Sequence, residues 1–159
     1  MDLHLQETVL AAVIATADRR LDGRLPWFDV PDAERCFRTP ERLVSILQLR
    51  WHTRLSALIE EALDDEPLDL ARAVIEAWRG CAAEMTGVRR ILDAHADTLA
   101  MQIAQRKDWA LLASAKGLRP TDDPRVVAVG RKIEDLARSR SEFRTLAAAS
   151  NPRRVSGSL

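Results

Sequence analysis

Apolar positions recur at steps of three and four along this chain, and the recurrence restarts after each Pro or Gly break. The clearest run lies within 41–63, where Val44, Leu47, Trp51, Leu55, Leu58 and Ala62 draw one stripe down a helix. No segment between the stripes alternates apolar and polar residues as a half-buried strand would. The pattern therefore predicts an all-α fold: five or six helices in an antiparallel bundle, with residues 1–148 as one domain and 149–159 as a flexible polar tail broken by Pro and Gly.

The first predicted helix covers Leu3 to Arg20 and stops near Gly23. Its segment from Val9 to Ala15 is apolar on every side, which suits a central helix or one shared with a second subunit. Three prolines then make 24–40 a connection with one short helical turn at Asp32–Phe37, and Trp27 and Phe28 within it are expected to plug the end of the core. Thr39-Pro40-Glu41 has the N-cap, N1 proline and early acid of a helix start, and that helix should run to about Asp64. A restart at Asp65-Glu66-Pro67 precedes the stripe Ala71, Val74, Ile75, Trp78, Cys81, Ala82 and Met85, which Thr86-Gly87 breaks. Val88 to Lys116 reads as a short piece to Ala96 and a longer one from Thr98, closed by Gly117. Asp122-Asp123-Pro124 opens the last helix, with the stripe Val126, Val129, Ile133, Leu136, Ala137 and Phe143. Trp51, Trp78 and Trp109 should come from three helices, the first two buried.

Composition agrees with this pattern. Twenty-four alanines, no Tyr and 4% aromatics favour helix over strand. The longest apolar run has seven residues, far short of a bilayer span, so no membrane association is expected. Met-Asp-Leu-His-Leu-Gln-Glu lacks a basic n-region, which points to the cytoplasm. Arg outnumbers Lys 21 to 3, a bias that fits GC-rich bacterial codons before it fits a binding role. Net charge is zero but uneven: 116–154 holds ten bases against five acids, whereas Glu60–Asp69 holds six acids and no base. Cys36 and Cys81 lack CxxC spacing and read as reduced, buried thiols.

Candidate chemistry is sparse. The histidines His4, His52 and His95 form no HxxxH, HExxH or ExxH pair, and neither a metal nor a cofactor is expected. GxSxG, GxxxxGK[ST] and GxGxxG are absent, so an enzyme is disfavoured. His95 sits in register with apolar residues and is expected to be structural. His52 belongs to a polar stripe with Ser45, Gln48 and Ser56, and is bracketed by the like-charge pair Arg50 and Arg54. That pair should be satisfied either by an acid from another helix, Glu76 or Glu84, or by a bound carboxylate or phosphate. In the second case Arg50, Trp51, His52 and Arg54 would line an anion site, with Trp51 as its apolar wall. A basic helix carrying Arg125, Arg131 and Lys132 after a turn superficially suits a helix-turn-helix, but the six-residue spacer and the acids Asp122 and Asp123 speak against nucleic acid. The leading expectation is a non-enzymatic interaction protein, a homodimer or a partner of another helical protein. An anion-sensing module ranks second and a nucleic-acid binder third.

Overall fold

Side-chain caps set most of the helix boundaries. Asp2 accepts from the His4 amide at the start of α1 (Leu3–Arg20), and Thr39 accepts from the Arg42 amide at the start of α3 (Pro40–Asp64). Between them lies the short α2 (Ala33–Phe37). Asp69, rather than the upstream Asp65-Glu66-Pro67, caps α4 (Leu70–Glu84), and Thr98 caps α6 (Leu99–Leu112). A 3-10 turn, Ala113–Lys116, extends α6 to Gly117, and α7 (Pro124–Ala149) follows with Asp123 accepting from the Arg125 amide at 2.8 Å. The computed structural model describes residues 2–149, with side chains as far as 139. The expected tail lies almost wholly outside the described residues, and so does the side chain of Phe143.

Among the described residues there are seven α-helices and no strand, not five or six helices. The count reaches seven because the turn expected at Asp32–Phe37 stands as α2 and the short piece expected before Ala96 stands as α5 (Thr86–Ala94). The break expected at Thr86-Gly87 falls at Met85, between α4 and α5, and Gly87 lies in the first turn of α5. Its role is close approach: a Cβ there would overlap the α1 backbone and come within 2.6 Å of the Ala17 carbonyl oxygen, while its amide donates to Asp18 at 2.9 Å. Asp18 thus supplies from α1 the cap that α5 lacks locally.

The core is continuous across all helices. Trp51, Phe37, Leu43, Leu47, Leu55 and Ile59 are its largest fully enclosed side chains, together with Ile91, Leu92 and Leu112. Trp51 and Trp78 are buried as expected and meet edge-to-face at 5.8 Å between centroids. Trp27 plugs the core, but its neighbour Phe28 is 92% exposed. The all-round apolar stretch of α1 is divided by size. Val9, Leu10 and Val13 are buried and Ile14 partly so, while the small Ala11, Ala12 and Ala15 face outward.

The largest departure from the sequence pattern concerns α7. Its packed face is Val127, Gly130, Ile133, Glu134 and Ala137, and Leu136 is exposed. Gly130 is the reason. A Cβ on it would overlap the Trp109 carbonyl, so this residue marks the line along which α6 and α7 touch backbone to backbone.

Candidate functional site

The four residues expected to line one anion site are separated by the structure. Arg50 pairs with Glu7 of α1, and Arg54 holds Glu84 of α4 in a bidentate fork at 2.7 and 2.9 Å. Acids from other helices therefore satisfy both cations, Glu84 being one of the two expected candidates. Glu76 instead pairs with Arg72 on its own helix. Trp51 is wholly inside the core with the Arg89 guanidinium 4.5 Å from its ring centre, so it walls no surface pocket.

His52 points elsewhere, toward α6. Its Nδ1 lies 2.6 Å from Oδ1 of Asp108, and the other carboxylate oxygen accepts from Gln48 Nε2 at 2.8 Å. Asp108 is buried, 4% exposed, and Gln48 is also buried. An ionised carboxylate can only accept, so Nδ1 carries the proton in this contact and the ring orientation is set by Asp108. The hydrogen bond to Asp108 raises the His52 pKa above its usual value, opposed by burial and by the nearby Lys107 ammonium. Nε2 has no partner among the described residues.

The side of α3 that carries His52 borders a cavity of about 660 Å³ between α3, α6, the 117–123 connection and α7. His52, Ser56 and Glu60 line it from successive turns of α3, Ile103, Arg106, Lys107, Ala110 and Leu111 from α6, and Pro120, Thr121, Asp122 and Val127 from the connection and α7. Arg106 and Lys107 make no ion pair among the described residues. Ser56 donates to Glu60 at 3.4 Å and not to the imidazole, so the α3 hydroxyl that lines the cavity is not held as an activated nucleophile. An oriented, proton-loaded imidazole beside a partly apolar cavity is suited to holding a ligand.

Asp108 was not singled out by sequence reasoning. A signal existed: Met101, Gln105, Asp108 and Leu112 fall at helical spacing, so a carboxylate sits on the inward stripe of α6, where it needs a partner from another helix. Ser45, expected on the same stripe as His52, bonds the Glu41 carbonyl and takes no part. His95 caps α5 and its Nδ1 lies 2.8 Å from the Ile91 carbonyl oxygen, a structural contact. Cys36 and Cys81 are free and buried, and burial pushes the Cys81 thiol up to about 12, which keeps it protonated. No group of three or more potential metal ligands occurs among the described residues.

Arg125, Arg131 and Lys132 are exposed on the first turns of α7. The Arg131 guanidinium lies 5.3 Å from the Trp109 ring centre. Asp123 caps the end of α7 that a phosphate would approach. No helix among the described residues is long and apolar enough to cross a membrane. Comparison with protein-family models, with curated proteins and with solved structures finds no match.

Proposed function

We propose that this protein is a non-enzymatic small-molecule-binding module of the cytoplasm, an antiparallel helical bundle whose ligand docks at His52. The observation that carries this reading is the buried Asp108 carboxylate, which fixes the imidazole at the wall of a 660 Å³ cavity. A buried carboxylate costs stability unless it is well partnered, and here both of its oxygens are used to orient polar groups of α3. A thermal-shift screen of small organic acids, alcohols and amines tests it. A ligand at a hundred times its Kd adds about 2.7 kcal/mol. Ser56→Phe, which puts an aromatic ring into the cavity one turn from His52, should block the response, and Arg54→Ala, outside the cavity lining, should preserve it. A library without a hit, or a hit indifferent to Ser56→Phe, removes the reading.

A second reading rests on a different face. A groove of about 760 Å³ between α1 and α3 is lined by Leu10, Ile14, Ile46 and Met85, with Leu49 64% exposed on it, and the Arg50–Glu7 and Arg54–Glu84 pairs border it. Two copies meeting there would cover Leu49 and continue the shared role expected of α1. Light scattering at 10–100 μM, concentrations of roughly the order at which weak homodimers form, should then give a dimer mass that Leu49→Arg returns to a monomer. A monomer mass throughout that range discards the homodimer.

A further inference from the structure

We infer that the ligand taken at His52 is an amphipathic organic anion, a carboxylate carried on an apolar body. This rests on the proposal that the cavity binds a small molecule and adds the charge and shape of that molecule.

Three basic and two acidic side chains line the cavity. His52, Arg106 and Lys107 are brought together by α3 and α6, and Lys107 is close enough to oppose the protonation of His52. His52 already has Asp108 on its Nδ1 side, so the cations at the cavity that lack an acid partner among the described residues are Arg106 and Lys107, and an anion placed there would pair them. Asp108 lies behind the ring, engaged by Nδ1 and by Gln48, and so orients the site without filling it. The acids that line the cavity are Glu60, which accepts at 3.4 Å from Ser56, one turn beyond His52, and Asp122 of the connection after α6; among the described residues neither pairs with Arg106 or Lys107.

The rest of the wall is apolar, with Ile103, Ala110, Leu111 and Val127 facing the space. Ile103 is 53% exposed, a large side chain that a ligand would cover. A volume of 660 Å³ belongs to the range of sites for drug-sized ligands and is far larger than phosphate or acetate requires. A bare inorganic anion would leave this wall wet, and a neutral hydrocarbon would leave the cations unpaired. An amphipathic anion satisfies both ends.

Four probes separate the possibilities in calorimetric titrations at pH 6.5 and 150 mM salt: decanoate, decan-1-ol, decylammonium and inorganic phosphate. Decanoate should bind at least about tenfold tighter than decanol, a charge-assisted contact being worth roughly that factor. Decylammonium should be the weakest of the decyl series. His52→Gln and Lys107→Gln should each erase most of the preference for decanoate while leaving decanol binding within about twofold. The preference should also fade as the pH is raised and His52 loses its proton; the other charged groups at the site are Arg106, Lys107, Glu60, Asp122 and Asp108. Equal binding of decanol, tighter binding of decylammonium, or phosphate matching decanoate overturns the inference, yet leaves a small-molecule site if Ser56→Phe blocks the probe. Absence of binding by all four overturns the inference, while the thermal-shift screen with Ser56→Phe decides separately whether the cavity takes a small molecule.

Discussion

Gly130→Ala is expected to cost about 3 kcal/mol or more and to open the His52 cavity. The added methyl would overlap the carbonyl of Trp109, and even the Trp109 Cα would be only 2.7 Å away. These are α6 backbone atoms and cannot swing aside like the end of a side chain, so the two helices must separate. Overpacking usually costs 1–3 kcal/mol, and a backbone obstacle lies at the upper end of that range or beyond. Separation would also strain the hydrogen bond from Trp109 Nε1 to Glu134 at 2.7 Å and the Arg131 contact with the same ring. The cavity would change too, since α6 and α7 both wall it. Gly80→Ala is the matched control. It lies within α4 with nothing within 4 Å of a new Cβ, so it should stabilise by about 0.5–1 kcal/mol through helix propensity alone. Urea unfolding followed by circular dichroism reads both, and an unchanged midpoint for Gly130→Ala would mean that α6 and α7 do not cross here.

Asp108→Asn should be the most damaging single change to the site. The carboxylate accepts from two side chains of α3, and an amide can satisfy only one of them as acceptor while presenting a donor to the other. Leaving Gln48 or His52 unmatched next to a buried group costs about 1–3 kcal/mol. The variant should also change the response to pH. Asp108 raises the His52 pKa in the folded state, so the stability from this contact is fully present below the unfolded value of about 6.5 and is lost as the pH rises through the higher folded value. Wild-type midpoints should therefore fall between pH 6.5 and the alkaline side, whereas Asp108→Asn should be flat there, and the His52 ring resonance should titrate at lower pH than in the wild type. A His52 titration unaffected by Asp108→Asn would show that the two side chains are not coupled.

The local features of this chain were legible because their causes lie within one helical turn. Thr39 followed by Pro40 announces α3, Asp123-Pro124 announces α7 and Gly117 closes the turn after α6, each through a cap satisfied by residues two or three positions away. The stripe through Val44, Leu47, Trp51 and Leu55 placed the core because side chains three and four apart share a face whatever the helix packs against. Trp78 and Cys81 became buried for the same reason.

Tertiary structure decided everything that depends on which faces meet. Arg50 and Arg54 look alike in sequence, yet one finds Glu7, 43 residues away, and the other Glu84, 30 residues away. Trp27 and Phe28 are adjacent and equally apolar, but the turn gives the core one and the solvent the other. On α7 the expected stripe is rotated: Ile133 and Ala137 are buried as expected, Val126 and Val129 are half-buried and Leu136 is exposed, because the close approach at Gly130 turns Val127 inward. The His52–Asp108 pair spans 56 residues and exists only because α3 and α6 pack in one particular register. Hydrophobic periodicity specifies that each helix has an inner face but not the rotation and offset at which two inner faces interlock, and that interlocking aimed the His52 imidazole into a cavity.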